Sequence, residues 1–410
     1  MSAGGGGAAA PVDDPSAPLT VAGRLSEYLR GGGVITPLLT AVLAFLVAGL
    51  VVLVTGHDPI STYKAIFNGS GLTWLLPWTS PDDRALAAIN LQQTLIATTP
   101  LILTGLAVAF AFRCGLFNIG GQGQYIVGMV VAAWIGSSFA SMPAVPHVAL
   151  TLVLASLAAA VWGGIAGMLK AFTGASEVIT TIMLNWIAVW LGFWLFGLGG
   201  PLQNEAQKQV PVSNDVVAGA RLPVFWGDPE LQGLHVGLFI ALAALVVFWV
   251  LLNRTRRGYE VRAVGFNPEA ARSAGISVAR NYIFVMAVCG LFAGLGGALD
   301  VLGWQVRVAT NDIQISQIGF LGIAVALLGR NTAIGVLFSA LLFGSLVTGT
   351  SVRNLDPTVF APELASNLTL IIQGLVVLFV SADVLVTWLW RLRGRAPWRR
   401  ARAEAEAEAA

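Results

Sequence analysis

The sequence predicts an all-α polytopic membrane protein with about ten transmembrane helices and both termini in the cytoplasm. Three observations carry this. Of 410 residues, 56% are hydrophobic and 11% charged, against roughly 25% charged residues in soluble domains, and the mean hydropathy is +0.77. The apolar residues form long runs: Val34–Gly56 and Leu91–Phe112 hold 23 and 22 residues with no acidic or basic group, and a helix needs about 20 to cross the hydrocarbon core. Lys and Arg are crowded into alternate connecting segments.

Residues 1–33, with Gly4–Gly7 and a Pro-containing polar stretch, read as a disordered cytoplasmic tail without a signal-peptide pattern. Runs bounded by charge, Pro or Gly then place spans at 34–55, 91–112, 119–139, 147–168, 178–198, 234–252, 282–302, 313–329, 332–350 and 366–388. Three are imperfect. The third starts inside the polar, Gly-rich stretch Asn118–Gln124, the seventh carries Asp300, and the eighth is short and begins with Gln314 and Gln317. Broken or re-entrant helices of this kind are tolerated only where protein or a water-filled cavity covers the backbone. Gly163 with Gly167 and Gly290 with Gly294 are small-x-x-x-small pairs that let helices approach closely. The transmembrane domain thus covers 34–390. The basic cluster Arg391–Arg402 and its Glu/Ala extension form a charged cytoplasmic tail, 391–410, with a membrane-proximal anchor.

Orientation follows from counting Lys and Arg between spans. Arg24, Arg30, Arg113, Lys170, Arg254, Arg256, Arg257, Arg262, Arg272, Arg280, Arg330 and six tail arginines make 17 of the 23 basic residues inside; Lys64, Arg84, Lys208, Arg221, Arg307 and Arg353 remain outside. Gaining or losing one span would move the Arg254–Arg280 loop or the tail to the wrong side, so the number of spans is even. Net charge, only +2, says little about partners.

Several chemistries are excluded. Cys114 and Cys289 make no disulfide framework or metal site, and His57, His147 and His235 are scattered near span ends in structural or interfacial positions. No Gly-x-x-x-x-Gly-Lys-Ser/Thr string occurs, so no phosphate-binding loop is recognisable. No His, Cys or carboxylate cluster has catalytic spacing, which leaves an integral membrane enzyme a distant reading.

Two loops are long. The outer one, 199–233, is mixed polar with four acids and four Pro, and reads equally as a docking surface or a plain connection. The inner one, 253–281, is basic and contains a short capped helix. Asn267 is a good N-cap, Pro268 fits the first helical position, Glu269 suits the positive end of the helix dipole, Ala270 and Ala271 favour helix, and Gly275 suits a stop. Two turns are marginal alone and need a packing partner. Local chemistry permits a simple capped connector equally well.

Glu269-Ala270-Ala271 with Gly275 six residues after the Glu resembles the EAA loop of ABC importer permeases, the cytoplasmic coupling helix that docks into an ATPase subunit. The wider string, Arg262-Ala-x-Gly265-x-Asn267-Pro268-x-Ala270-Ala271-x-x-x-Gly275-Ile276, resembles the permeases that serve simple sugars, branched-chain amino acids and nucleosides. Gly115–Gln124, Ser176–Asn185 and Gly322–Asn331 are similar to the nucleoside branch, in the same order. The resemblance runs from about Leu86 to Trp388, and the long outer insertion resembles the larger of two paralogous permeases that pair there. It implies a 5+5 inverted-repeat permease fold in the cell membrane, no cofactor on this chain, ATP and Mg on a partner ATPase, a paralogous permease subunit, an external substrate-binding lipoprotein or periplasmic protein, surrounding lipid, and no nucleic acid polymer.

Candidate pathway residues are intramembrane polar groups, because each is expensive in hydrocarbon. Glu177, Thr181 and Asn185 fall at i, i+4 and i+8 on the fifth span, where Glu177 also suits a cap at the inner end. Asn118, Gln122 and Gln124 open the third span, where Gly120–Gly123 is expected to be unwound and to expose backbone donors; interhelical hydrogen bonding competes. Asp300 is either a pathway residue or a partner for Arg307. Trp186, Trp190 and Trp194 form another stripe, for which a lipid-facing or packing role outweighs stacking on a nucleobase. A permease for a simple sugar such as ribose and an ion-coupled secondary transporter with inverted repeats are the alternatives.

Overall fold

A computed structural model describes residues 35–54, 56–229, 233–351 and scattered positions between 367 and 378. The tenth expected span falls largely, and both tails wholly, outside the described residues.

Helix α1 spans Ile35–Val54 and α2 spans Pro59–Gly69; Ala41–Val54 meets α2 at 118°. Hydropathy misses α2 because it is mixed polar. Its start is nevertheless chemical: Asp58 accepts from Ile60 N and Ser61 N at 3.3 and 2.8 Å, and Pro59 takes the first position. Helix α3, Pro81–Phe112, begins ten residues before the expected span, because Ser80 caps it, Pro81 starts it and Asp82 and Asp83 fill its first turn. Helices α4 (Gly121–Ser137), α5 (Ala144–Thr173), α6 (Glu177–Phe196) and α7 (Gly237–Arg254) follow. The basic loop carries α8 (Arg256–Phe266) and α9 (Pro268–Ser273). Helix α10, Val278–Asp300, runs into a π-turn at Val301–Gln305 that ends on Val306 in the left-handed region, φ 61°. Short α11 (Thr310–Ile315) and α12 (Ile318–Leu328) are separated by a break at Ser316 and Gln317; α13 spans Ala333–Gly349.

Among the described residues six helices are long and apolar enough to cross a bilayer: α3, α5, α6, α7, α10 with its π-turn, and α11 with α12. The bent α1–α2 pair makes a seventh if it is one span. Helices α4 and α13 have 17 residues each, about 26 Å at 1.5 Å per residue, somewhat less than the roughly 30 Å core.

Helix α10 packs against α5, α4 and α3, and α3 in turn carries α12, α13 and α7. The apolar window of α3 is 83% buried and that of α6 only 22%, so α3 is a central axis and α6 lies at the periphery. The four paired glycines do what their spacing predicts: a Cβ on Gly163 would lie 2.4 Å from Met286 O, one on Gly290 2.0 Å from Ala159 O, one on Gly294 2.2 Å from Ala159 Cβ and one on Gly167 2.8 Å from Tyr282 O.

The long 199–233 segment is not a free loop. It carries the one hairpin among the described residues, β1 (Val224–Trp226) with β2 (Leu234–His235), a small departure from an all-α chain. Its backbone is stitched to the segment after α10 by Ser213 N to Val308 O, Val216 N to Val306 O and Leu222 N to Leu302 O, at 2.7–2.9 Å. It therefore covers the C-terminal end of α10.

Candidate functional site

Asn118, Gln122, Gln124, Thr181 and Asn185 are all buried and meet where the α3–α4 turn crosses α6 and the start of α12. Asn118 and Gln124 pair side chain to side chain: Asn118 Nδ2 donates to Gln124 Oε1 at 3.0 Å, and Gln124 Nε2 donates back at 3.3 Å. Asn185 accepts from Gly123 N at 2.7 Å and donates to Ile119 O at 3.0 Å. Gln122 reaches across the fold, donating to Ser316 O and accepting from Gly319 N, both at 2.8 Å. It thus bridges the break between α11 and α12. The approach is close enough that a Cβ on Gly319 would lie 2.3 Å from the Gln122 backbone. Thr181 donates to Glu177 O at 2.7 Å and packs against Gly120.

One expectation changes. The stretch without helix is 113–120, whereas Gly121, Gln122 and Gly123 belong to α4. The Gly123 donor is not open to a pathway, because Asn185 has taken it.

Asp300 stands apart from this cluster. It is buried and accepts from the Tyr125 hydroxyl and from Trp304 Nε1 at 3.0 Å. Arg307 is not its partner; it faces Asp215 at 4.0 Å, because the π-turn and the left-handed Val306 carry the chain away from Asp300. Asp300 lines a cavity of about 600 Å³ between α3, α10, α12 and α13, beside the N-terminal half of α3. Asn90, Gln93, Trp304, Thr348 and Ser351 line it too, with Pro100 and apolar residues. A second recess of about 370 Å³, lined by Gln305, Arg307, Asp312 and Ser316, shares Trp304 and Ile318 as common walls with the first. Small-molecule sites are typically about 300–1,000 Å³ and mostly apolar with a few placed polar groups. This pair of cavities offers carboxylate, amide, hydroxyl and indole groups.

Glu177 opens α6 and is held by Lys170 Nζ at 2.8 Å, across the α5–α6 turn. Trp186, Trp190 and Trp194 are 59–64% exposed on the outside of α6, away from the polar cluster.

The basic loop forms a projecting arm. Asn267 Oδ1 accepts from Glu269 N and Ala270 N at 3.0 and 3.1 Å, Pro268 starts α9, and Gly275 ends it at φ 79°. Glu269 and Arg272 form an exposed pair at 3.2 Å. Of α9 only Ala271 is buried, against the core beside α8 and α10, so one face is held and the others are open. Phe266, just before it, is 91% exposed. Arg262 and Gly265 lie in α8, not in the projecting helix. A Cβ on Gly265 would lie 2.3 Å from Arg113 O, so the arm rests directly on the α3–α4 turn. Ile276 N donates to Ala271 O, closing the end of α9.

Sequence reasoning passed over Tyr125, Trp304, Asn90, Gln93 and Phe266. Asn90 and Gln93 carry a signal, being polar residues at i and i+3 on the border of an apolar run. Nothing in the sequence marks Tyr125 as the partner of a residue 175 positions away.

A family profile described as "Branched-chain amino acid transport system / permease component" matches residues 90–381. The chain is 36% identical over 367 residues to the guanosine ABC transporter permease protein NupP of Bacillus subtilis, covering 89% of this chain and 96% of that protein. It is 33% identical to the nucleoside ABC transporter permease protein NupB of Lactococcus lactis, covering 86% and 92%. The glucose ABC transporter permease protein TsgB13 of Haloferax volcanii is 34% identical, with coverage of 84% and 86%. No solved structure matches the chain.

Proposed function

This chain belongs to the branched-chain amino acid transport system permease family, and we propose that it is the membrane subunit of an ATP-driven importer that forms the translocation pathway for nucleosides. The observation that carries the permease assignment is the projecting arm: a capped helix, unpacked on nearly every face and preceded by an exposed Phe266, is built to seat in another protein. That partner is a separate ATPase, which binds ATP and Mg. A paralogous permease subunit and an external substrate-binding protein complete the assembly.

In this reading the chain crosses the membrane ten times with both termini cytoplasmic. Arg113, Arg262 and Arg330 come from three connecting segments assigned to the inside, and they line one recess; Asp215 and Arg307, both assigned outside, face each other. These groupings support the orientation. The cavity at Asp300 then opens toward the outside and forms the upper part of the pathway, with Trp304 and Ile318 as the wall between its two chambers.

Movement is transmitted along contacts. ATPase closure displaces α9, α8 carries the displacement to the α3–α4 turn through Gly265, and the Asn118, Gln124 and Asn185 hydrogen bonds make that turn move with α4 and α6. Gln122 passes it to the break between α11 and α12, whose Ile318 and Leu321 border the cavity. Asn118, Gln122, Gln124, Thr181, Asn185 and Glu177 act in this reading by positioning the helices around the pathway, and Asp300 meets the substrate.

A nucleoside suits the cavity because the indole of Trp304 offers a face to a base, while Asn90, Gln93, Asp300 and Thr348 offer partners for ribose hydroxyls and base edges. The glucose permease relative favours a sugar as the second reading. Competition in proteoliposomes containing the whole transporter decides: nucleosides should displace labelled guanosine or adenosine uptake, and ribose, glucose and leucine should not. Uptake driven by an ion gradient through the isolated chain would sink the permease assignment itself.

A further inference from the structure

At the C-terminal end of α3, away from the polar cavity, a recess of about 730 Å³ opens between α1, α7, α8 and the α12–α13 turn. Among the described residues its lining contains Arg113, Arg262 and Arg330 and no carboxylate. From this basic end an apolar wall continues along two helices: Phe248, Trp249 and Leu252 of α7, and Ile334, Phe338 and Leu342 of α13. Trp249, Ile334 and Phe338 are 45%, 72% and 65% exposed, so the wall opens sideways out of the helix bundle, where lipid lies. The turn that bears Arg330 is costly to form. Arg330 and Asn331 both sit in the left-handed region, at φ 50° and 54°, a conformation that Asn tolerates but that is unfavourable for Arg. It is held by Arg113, whose Nε and Nη2 donate to Asn331 O at 3.0 and 2.8 Å. Such strain persists where the surroundings over-determine it.

A soluble anion has no use for the apolar wall, and an apolar peptide has none for three arginines. An amphiphile with an anionic head matches both halves. We propose that this recess binds one anionic diacylphospholipid from the cytoplasmic leaflet, its phosphodiester among Arg113, Arg262 and Arg330 and an acyl chain along Phe248, Phe338 and Leu342. Basic pockets between transmembrane helices on the cytoplasmic side are suited to such headgroups. Only the choice of leaflet rests on the orientation argued above. Arg262 lies on α8, so the bound headgroup ties the coupling arm to the α12–α13 turn and stiffens the lever on which transport depends.

Native mass spectrometry on the purified transporter, released into detergent with phosphatidylglycerol and phosphatidylcholine supplied in equal amounts, tests this. The wild type should retain phosphatidylglycerol in preference to phosphatidylcholine, and inorganic phosphate at millimolar concentration should not displace it. Arg262→Gln and Arg330→Gln should each lower phosphatidylglycerol occupancy about fivefold while leaving phosphatidylcholine adducts unchanged. Ala333→Trp, which fills the wall and alters no charge, should abolish the preference as well, and separates loss of the site from loss of an arginine needed for folding. Equal retention of the two lipids by the wild type overturns the proposal. So does displacement by free phosphate, or undiminished phosphatidylglycerol binding in the charge and wall variants.

Discussion

Gln122 bridges the start of α4 and the break between α11 and α12, and its removal tests the proposed transmission directly. Gln122→Met preserves length and flexibility but deletes both the donor to Ser316 O and the acceptor for Gly319 N, each at 2.8 Å. Buried side-chain hydrogen bonds in membrane proteins contribute about 0.6 kcal/mol on average and up to about 1.7. Two of them therefore give a loss of about 1–3 kcal/mol. The figure lies toward the upper end if Ser316 O and Gly319 N find no water, because a buried backbone group left without a partner costs about 1–3 kcal/mol by itself. Gln122→Glu keeps the acceptor for Gly319 N and sets an oxygen against Ser316 O, so it should be no better than Met. Unfolding in mixed micelles reads the stability, and ATP-driven uptake read beside ATPase activity separates stability from coupling. The expected result is a less stable protein in which ATP is hydrolysed with reduced uptake. If both variants unfold within about 0.5 kcal/mol of the wild type, the spread of ordinary surface substitutions, and transport at its rate, the bridge carries nothing.

Phe266→Ala should leave the melting temperature unchanged, because the ring is 91% exposed, yet should weaken co-purification of the ATPase by about tenfold or more, the usual effect of losing a buried aromatic anchor; unaltered association would remove Phe266 from the docking surface. Gly275→Ala meets no atom within 4 Å, so its cost is that of a Cβ at φ 79°, about 1–2 kcal/mol. It should loosen α9 and lower uptake per ATP, and a variant that couples normally would show that the end of α9 is not held by this glycine. Gly265→Val has no room against Arg113 O and should reduce folded yield or coupling far more than Gly275→Ala; equal effects would contradict the tight contact. His235, in strand β2 ahead of α7, is buried and its imidazole is lowered by that burial to about 4. The folded protein then binds fewer protons than the unfolded chain between about pH 4 and 6.5, so stability is full above about 6.5 and falls as the pH drops toward 4, by about 3 kcal/mol at most. A His235→Asn variant should lose that part of the pH dependence of melting, and an unchanged pH profile would show that His235 does not carry it.

The short capped helix α9 was legible residue by residue: Asn267, Pro268, Glu269 and Gly275 occupy the capping and terminating roles that their chemistry predicts, because capping and helix termination act within a few neighbours along the chain. The glycine pairs of α5 and α10 were legible for the same reason, since their spacing alone puts them on one face. Helix starts were less so. Ser80-Pro81-Asp82-Asp83 and Asp58-Pro59 are chemical start signals that a hydropathy window averages away, which is why α3 begins early and α2 went unseen.

The polar residues show the limit most clearly. The sequence by itself determined that Asn118, Gln122, Asn185 and Asp300 lie in or beside apolar segments and so must find partners, because hydrocarbon supplies none. It also determined the helical, membrane-spanning character and the short capped helix of the basic loop. Which partners those residues find was decided by the tertiary structure: Gln122 joins Ser316 and Gly319 nearly 200 positions away, Asp300 takes Tyr125 rather than its neighbour Arg307, and the outer loop lies down on the end of α10. Periodicity reports the face of a helix that is polar. It carries no information on which other helix will stand opposite, and that depends on how α3, α4, α10 and α12 pack at once.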